Sequence, residues 1–197
     1  MHWAERIAEE LINENPGKEE FLCVAGTSPS GSVHIGNFRD VATPFFVVEA
    51  LKRKGKKARL MLSWDEFDRL RKVPKNIAAI APDFDKYIGM PYCMIPDPHG
   101  VYSSFAEYNE KEYEQSMKEL GIDIEYRYKG KEYRSGRYVE GIITAMKRRK
   151  DIYDILMKYK TQDSDEGERE TYYPISVYCS ACNKDFTEVL SYNEESD

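Results

Sequence analysis

A chain of 197 residues can bury a core of its own, and 41% hydrophobic with 32% charged residues is the balance of an ordinary globular protein. A net charge of −6 argues against a protein that grips nucleic acid over its whole surface. No apolar run approaches the roughly 18 residues of a membrane span, and the start Met1-His2-Trp3-Ala4-Glu5 lacks a basic-then-apolar leader, so a cytoplasmic setting is expected. Trp3, Ala4, Ile7, Ala8 and Leu11 recur at helical spacing, and Pro16-Gly17 stops that helix. Phe21 to Gly26 is an apolar run of the kind found in strands covered on both faces. A helix is expected from Val33 to Lys54, with Gly55 after its end and Pro44 inside it as a kink or break. Ala58 to Trp64 reads as a second strand, which completes a βαβ unit and implies a parallel sheet.

Residues 65–102 are rich in Pro, Asp and Gly and read as an irregular insertion between sheet elements. Ser104 with Glu107 predicts a capping box on a helix that ends at Leu120-Gly121. Ile122 to Tyr128 alternates as a strand does, helices are expected over 136–149 and 151–159, and Thr161 to Glu170 reads as an acidic loop. Two basic runs stand out, Lys52 to Arg59 and Lys147 to Lys150. Solvated helix ends are favoured over local nucleic-acid contact as their explanation, since cations suit a helix C-terminus.

The first strand-to-helix turn carries the chemistry, because open parallel sheets bind ligands at the C-terminal ends of their strands. It reads Gly26-Thr27-Ser28-Pro29-Ser30-Gly31-Ser32-Val33-His34-Ile35-Gly36-Asn37 and has neither a Walker lysine nor a G-x-G-x-x-G spacing. Small residues allow a nucleotide to approach the backbone, and the helix N-terminus offers free N–H groups to phosphate. His34 and Asn37, three apart, project toward that place from one face, and Gly36 between them leaves room for a purine.

Gly26 to Asn37 resembles the first signature of class I aminoacyl-tRNA synthetases, with His34-Ile35-Gly36-Asn37 as its H-I-G-H/N element. His2-Trp3-Ala4, Asn37-Phe38-Arg39, Trp64-Asp65-Glu66-Phe67-Asp68 and Arg71-Lys72-Val73-Pro74 narrow the resemblance to the class I lysyl-tRNA synthetases. The resemblance implies a Rossmann-like α/β fold over residues 1–172. It also implies lysine activation with ATP, accompanied by Mg2+, to lysyl-adenylate, and transfer to tRNA(Lys). Ser30, His34, Gly36 and Asn37 would bind ATP, with His34 and Asn37 catalytic. Gly26 and Ser28 would contact lysine, Ser28 standing where the family usually has Thr. Asp65 would receive the lysine ammonium, or equally serve as a loop cap. Arg71 and Lys72 fit either tRNA contact or loop packing.

Cys23 lies in an apolar run and reads as a buried thiol, whereas Cys179-Ser180-Ala181-Cys182 resembles half a zinc knuckle within a small β element over residues 173–197. Zinc takes four ligands, so these two imply an incomplete Zn2+ site. A second metal site of the family, aligned on Asp97, would need ligands where Val101, Tyr102 and Tyr108 stand, and is expected to be lost, with His99 a surface residue. The second class I signature, K-M-S-K-S, does not occur in the sequence. Three readings follow: the N-terminal catalytic portion of such an enzyme, inactive alone; a truncated homologue that binds nucleotide or tRNA without turnover; and, less favoured, another nucleotidyltransferase of the same fold superfamily, which would lack the Arg71 to Pro74 run.

Overall fold

The computed structural model describes residues 2–160 and 167–193, and they form two compact units, Met1–Gly130 and Lys131–Asp197. The first unit holds a three-stranded parallel sheet in the order β1-β2-β3, formed by Glu20–Thr27, Lys57–Trp64 and Glu125–Tyr128. Its helices are α1 (Trp3–Glu14), α2 (Ile35–Arg53), the short α3 (Lys75–Ile80) and α4 (Phe105–Glu119). The expected βαβ unit is β1-α2-β2, paired in register from Glu20 opposite Lys57 to Thr27 opposite Trp64. α5 (Lys129–Arg134) follows β3 directly.

α1 buries Ala4 and Ala8 completely, and packs them with Phe21 of β1 and Val47, Ala50 and Leu51 of α2. Small residues at that spacing let two helices approach closely. A second cluster joins sheet and helices through Val41, Val48, Leu60, Leu62, Trp64, Tyr113 and Met117. Trp64 is wholly buried, edge-on to Tyr113 at 5.5 Å, and its indole N–H donates to Glu114 Oε1 at 3.2 Å. That bond answers the one polar atom of an otherwise apolar payload.

Several expectations need correction. Pro44 does not break α2, which runs through it to Arg53. Cys23 is half-buried, and burial pushes its thiol up. The strand expected from Ile122 begins at Glu125, because Gly121 takes φ +70° and Ile122 N–H still caps α4 through Met117 O at 3.0 Å. The capping box at Ser104 forms with a shifted arm. Ser104 Oγ accepts from Glu107 N–H at 3.1 Å, but the Glu107 carboxylate reaches back to the Ser103 N–H, also at 3.1 Å. The segment between β2 and α4 lacks strands yet has its own core, Leu70, Ile77, Phe84, Tyr92, Ile95 and Phe105.

Within that segment Asp97 accepts the backbone N–H groups of His99, Val101 and Tyr102 at 3.0, 2.9 and 2.9 Å. Burial alone would raise its carboxyl, and these donors hold it below the usual range instead. His99 stacks on Tyr108 at 4.2 Å and is exposed. Hydrogen bonds and a ring stack shape this turn.

In the second unit the two expected helices are α6 (Val139–Lys147) and α7 (Arg149–Met157), and α8 (Glu168–Thr171) takes up part of the expected acidic loop; the remainder of that loop, 161–166, lies outside the described residues. No strand occurs between Tyr172 and Asn193, so the small β element is absent from the described residues. A tight turn stands there instead, closed by Cys179 N–H to Lys184 O and Asn183 N–H to Cys179 O, both 2.8 Å, with Asn183 at φ +57°. An asparagine tolerates that left-handed conformation, as the sequence suggests.

Several cations of both basic runs are paired locally. Arg53 pairs with Glu5, Lys54 with Glu9 and Lys52 with Glu49, at 2.8, 2.7 and 3.0 Å. In the second run Arg148 pairs with Asp151 at 3.0 Å, Lys150 with Glu170 at 2.5 Å, and Arg149 donates to the Glu170 and Tyr172 carbonyls. These lysines and arginines tie helices together, which favours the helix-end reading over nucleic-acid contact.

Candidate active site

The turn after β1 is fastened at several points. Pro29 is fully buried, and its carbonyl lies 3.5 Å from the amide of buried Asn109 on α4. Ser28 Oγ donates to Asp68 Oδ2 at 3.1 Å, and Asn76 Nδ2 to Ser32 Oγ at 3.3 Å. A Cβ on Gly31 would stand 3.3 Å from Pro74 Cγ, so glycine there admits the close approach of the 71–76 segment. These four neighbours, Asp68, Pro74, Asn76 and Asn109, come from three different stretches of chain. Only folding brings them together.

His34 is the N-cap of α2, with extended backbone (φ −128°, ψ 178°). Its Nδ1 accepts the Gly36 N–H at 3.1 Å. That bond places the proton of the neutral ring on Nε2, so the exposed edge is a donor. Asn37 closes the reciprocal half of the cap: its Oδ1 accepts the His34 N–H at 3.3 Å, and its Nδ2 donates to Thr27 Oγ1 at 2.9 Å. Asn37 thus braces the helix start against the end of β1. Gly36 has a reason the sequence does not reveal. A Cβ there would lie 2.8 Å from His34 Cε1, so the imidazole itself occupies the space glycine leaves.

Asp65 follows β2, and its N–H donates to Thr27 O at 2.9 Å, extending the ladder. Its Oδ2 stands 4.0 Å from the Cβ position of Gly26, and its Oδ1 lies 2.5 Å from Lys129 Nζ. Its neighbour Glu66 is buried and accepts the N–H groups of Lys129 and Gly130 at 2.9 and 2.6 Å, anchoring the start of α5. A continuous path therefore runs Lys129–Asp65–Thr27–Asn37–His34 along the C-terminal edge of the sheet.

Of the residues expected at the site, Gly26, Ser28, Asp65, His34, Gly36 and Asn37 meet on that edge. Ser30 lies exposed on the turn with no hydrogen bond among the described residues. Thr27, Asp68, Asn109 and Lys129 were missed by sequence reasoning. Thr27 and Asp68 lie inside the recognised runs and could have been named, whereas Asn109 and Lys129 carry no local signal. Cys179 and Cys182 lie in the other unit. The Cys182 and Ala181 N–H groups and the Cys182 side chain point at the Cys179 sulfur and hold its thiol below the usual range. Among the described residues no group of three or more His, Cys, Asp or Glu side chains converges.

A family model described as tRNA synthetases class I (K) matches residues 1–197. Lysine–tRNA ligase of Treponema pallidum (strain Nichols) is 40% identical over 96% of the chain and 35% of its own length. Those of Thermococcus kodakarensis and Streptomyces coelicolor are 36% and 34% identical over 99% and 98% of the chain. The chain spans 36% and 39% of these two relatives. With a parallel α/β sheet, a histidine-capped helix after its first strand and a family match over its whole length, the chain belongs to the class I (K) family of tRNA synthetases.

Proposed function

We propose that this chain contributes the nucleotide-binding part of a site that activates lysine with ATP and passes it to tRNA(Lys). The observation that carries this reading is the His34–Gly36–Asn37–Thr27 network at the end of β1. Attack of the lysine carboxylate on the α-phosphate forms lysyl-adenylate and expels pyrophosphate, with Mg2+ travelling on the ATP phosphates. Such a reaction asks the protein for alignment and charge stabilisation more than for covalent chemistry. His34 is set to donate through Nε2 to a phosphate oxygen. Asn37 holds the histidine's backbone, and its remaining amide proton is available to the same ligand. Gly26 leaves open the floor over which Asp65 Oδ2 could receive an ammonium, with Ser28 beside it.

The test is a titration of ATP or a non-hydrolysable lysyl-adenylate analogue, followed by amide NMR. Gly26, His34 and Gly36 are expected to shift, and His34→Ala to weaken binding by about 1–3 kcal/mol, the value of a hydrogen bond to a charged group. Shifts confined to α6 and α7 would place the ligand elsewhere.

Zinc fits Cys179 and Cys182 in part. N–H groups directed at one sulfur suit a thiolate, but two thiolates are half of a tetrahedral site. The chain is expected to hold at most one zinc, which a mild chelator strips without unfolding the first unit. Two tightly held zincs per chain by elemental analysis would refute this.

A further inference from the structure

The segment Arg71-Lys72-Val73-Pro74-Lys75-Asn76 packs on the signature turn through Pro74 against Gly31 and Asn76 against Ser32. That contact settles which end of the segment is packing: Ile77 is buried and Val73 and Pro74 half-buried, while Arg71, Lys72 and Lys75 are exposed. None of these three cations forms an ion pair among the described residues. Elsewhere in this acidic chain the basic runs are met by carboxylates, as at Arg53–Glu5, Lys54–Glu9 and Lys150–Glu170. The carboxylates of the site are themselves engaged, Asp65 with Lys129 and Asp68 with Ser28. The turn from Gly26 to Asn37 contains no lysine or arginine of its own. The segment packed on this turn therefore offers a triphosphate held by His34 and the start of α2 three exposed positive charges.

We propose that Arg71, Lys72 and Lys75 form a phosphate-binding strip that extends the nucleotide site outward from the signature turn. The proposal rests on the nucleotide-site reading above and adds to it residues that bind phosphate beyond the one at which His34 acts. Flexible lysines without fixed partners suit this task, since they can follow a phosphate chain without first breaking an internal pair. Phosphates of a nucleotide and of an RNA backbone share the chemistry, and the test separates them.

The Lys72→Ala/Lys75→Ala double variant and its Lys72→Arg/Lys75→Arg counterpart are compared with the parent chain for binding of ATP, ADP, AMP and a short RNA hairpin. Thermal melting checks that each remains folded. The alanine variant is expected to lose about ten-fold in ATP affinity and less than about two-fold for AMP, with ADP between, and the arginine variant to retain ATP binding. Its ATP affinity should also depend less steeply on salt than the parent's. Loss of hairpin binding with ATP unchanged would overturn the proposal and give the strip to RNA phosphates instead. Equal loss across ATP, ADP and AMP, or none with either ligand, would overturn it. If His34→Ala still weakens ATP in that last case, the nucleotide site stands and only the strip falls.

Discussion

Between about pH 5 and about pH 9 the fold is expected to lose stability steadily, and Glu110→Gln is expected to remove most of that loss. Glu110 lies on α4, 4% exposed, and its Oε1 has no hydrogen-bond partner. Burial, then the like charges of Glu66, Glu114 and Glu107, push its carboxyl from the ordinary 4.5 up to about 8, with Lys111 alone opposing. Lys111 is itself committed to Glu114 at 2.7 Å, which weakens its relief of Glu110. Glu66 is shifted in the same direction, by burial first. In this interval the folded chain keeps a proton that the unfolded chain releases. Its stabilising effect is therefore complete below about pH 4.5 and is lost as pH rises through about 8. The expected loss is on the order of 2–4 kcal/mol. Glutamine keeps the shape and cannot ionise, so at pH 9 the variant should be the more stable protein. Urea melts across the range measure both slopes; equal slopes would mean that another group carries the dependence.

The 197-residue polypeptide by itself is expected to show no lysine-dependent ATP–pyrophosphate exchange above background. During the displacement, negative charge moves onto the departing pyrophosphate. His34 and α2 meet it from one side. The resemblance to the class I lysyl enzymes implies that lysines of a second signature meet it from the other, and that signature does not occur in these residues. Loss of one preorganised donor of this kind costs a factor of about 10² to 10³ in rate. Imperfect alignment of carboxylate and α-phosphate adds a further steep penalty. Nucleotide affinity should survive better than rate, because the braced turn is complete within the first unit. The comparison is with the full-length Treponema pallidum relative, assayed in parallel. Robust exchange by the short polypeptide would show that a second signature is dispensable or replaced. Nucleotide binding without exchange would agree with the prediction.

The parts of the fold that were legible in the sequence are those set by local periodicity and caps. α1, β1, β2 and the Ser104 start of α4 follow from apolar spacing and turn residues, and the signature turn from its small residues and histidine. What was not legible depended on distant partners. The 65–102 segment lacks a period because its core is built from single apolar residues on short turns. The cysteine turn has no strands beside it because its flanking residues find no ladder partner among those described. Asp65 reads as an ammonium acceptor or a loop cap, and only the pairing of β2 with β3 brings Lys129 to it. Within the run at 52–59, Arg53 and Lys54 meet their glutamates only once α1 packs beside α2.

The imidazole of His34 resting in the space above Gly36 joins two positions that a sequence presents as separate letters. Enlarging residue 36 by one methyl displaces the ring, undoes the Nδ1 bond to the Gly36 N–H and turns the Nε2 donor away from its target. Histidine at 34 and glycine at 36 therefore constrain each other, the ring of the first resting where a side chain on the second would stand.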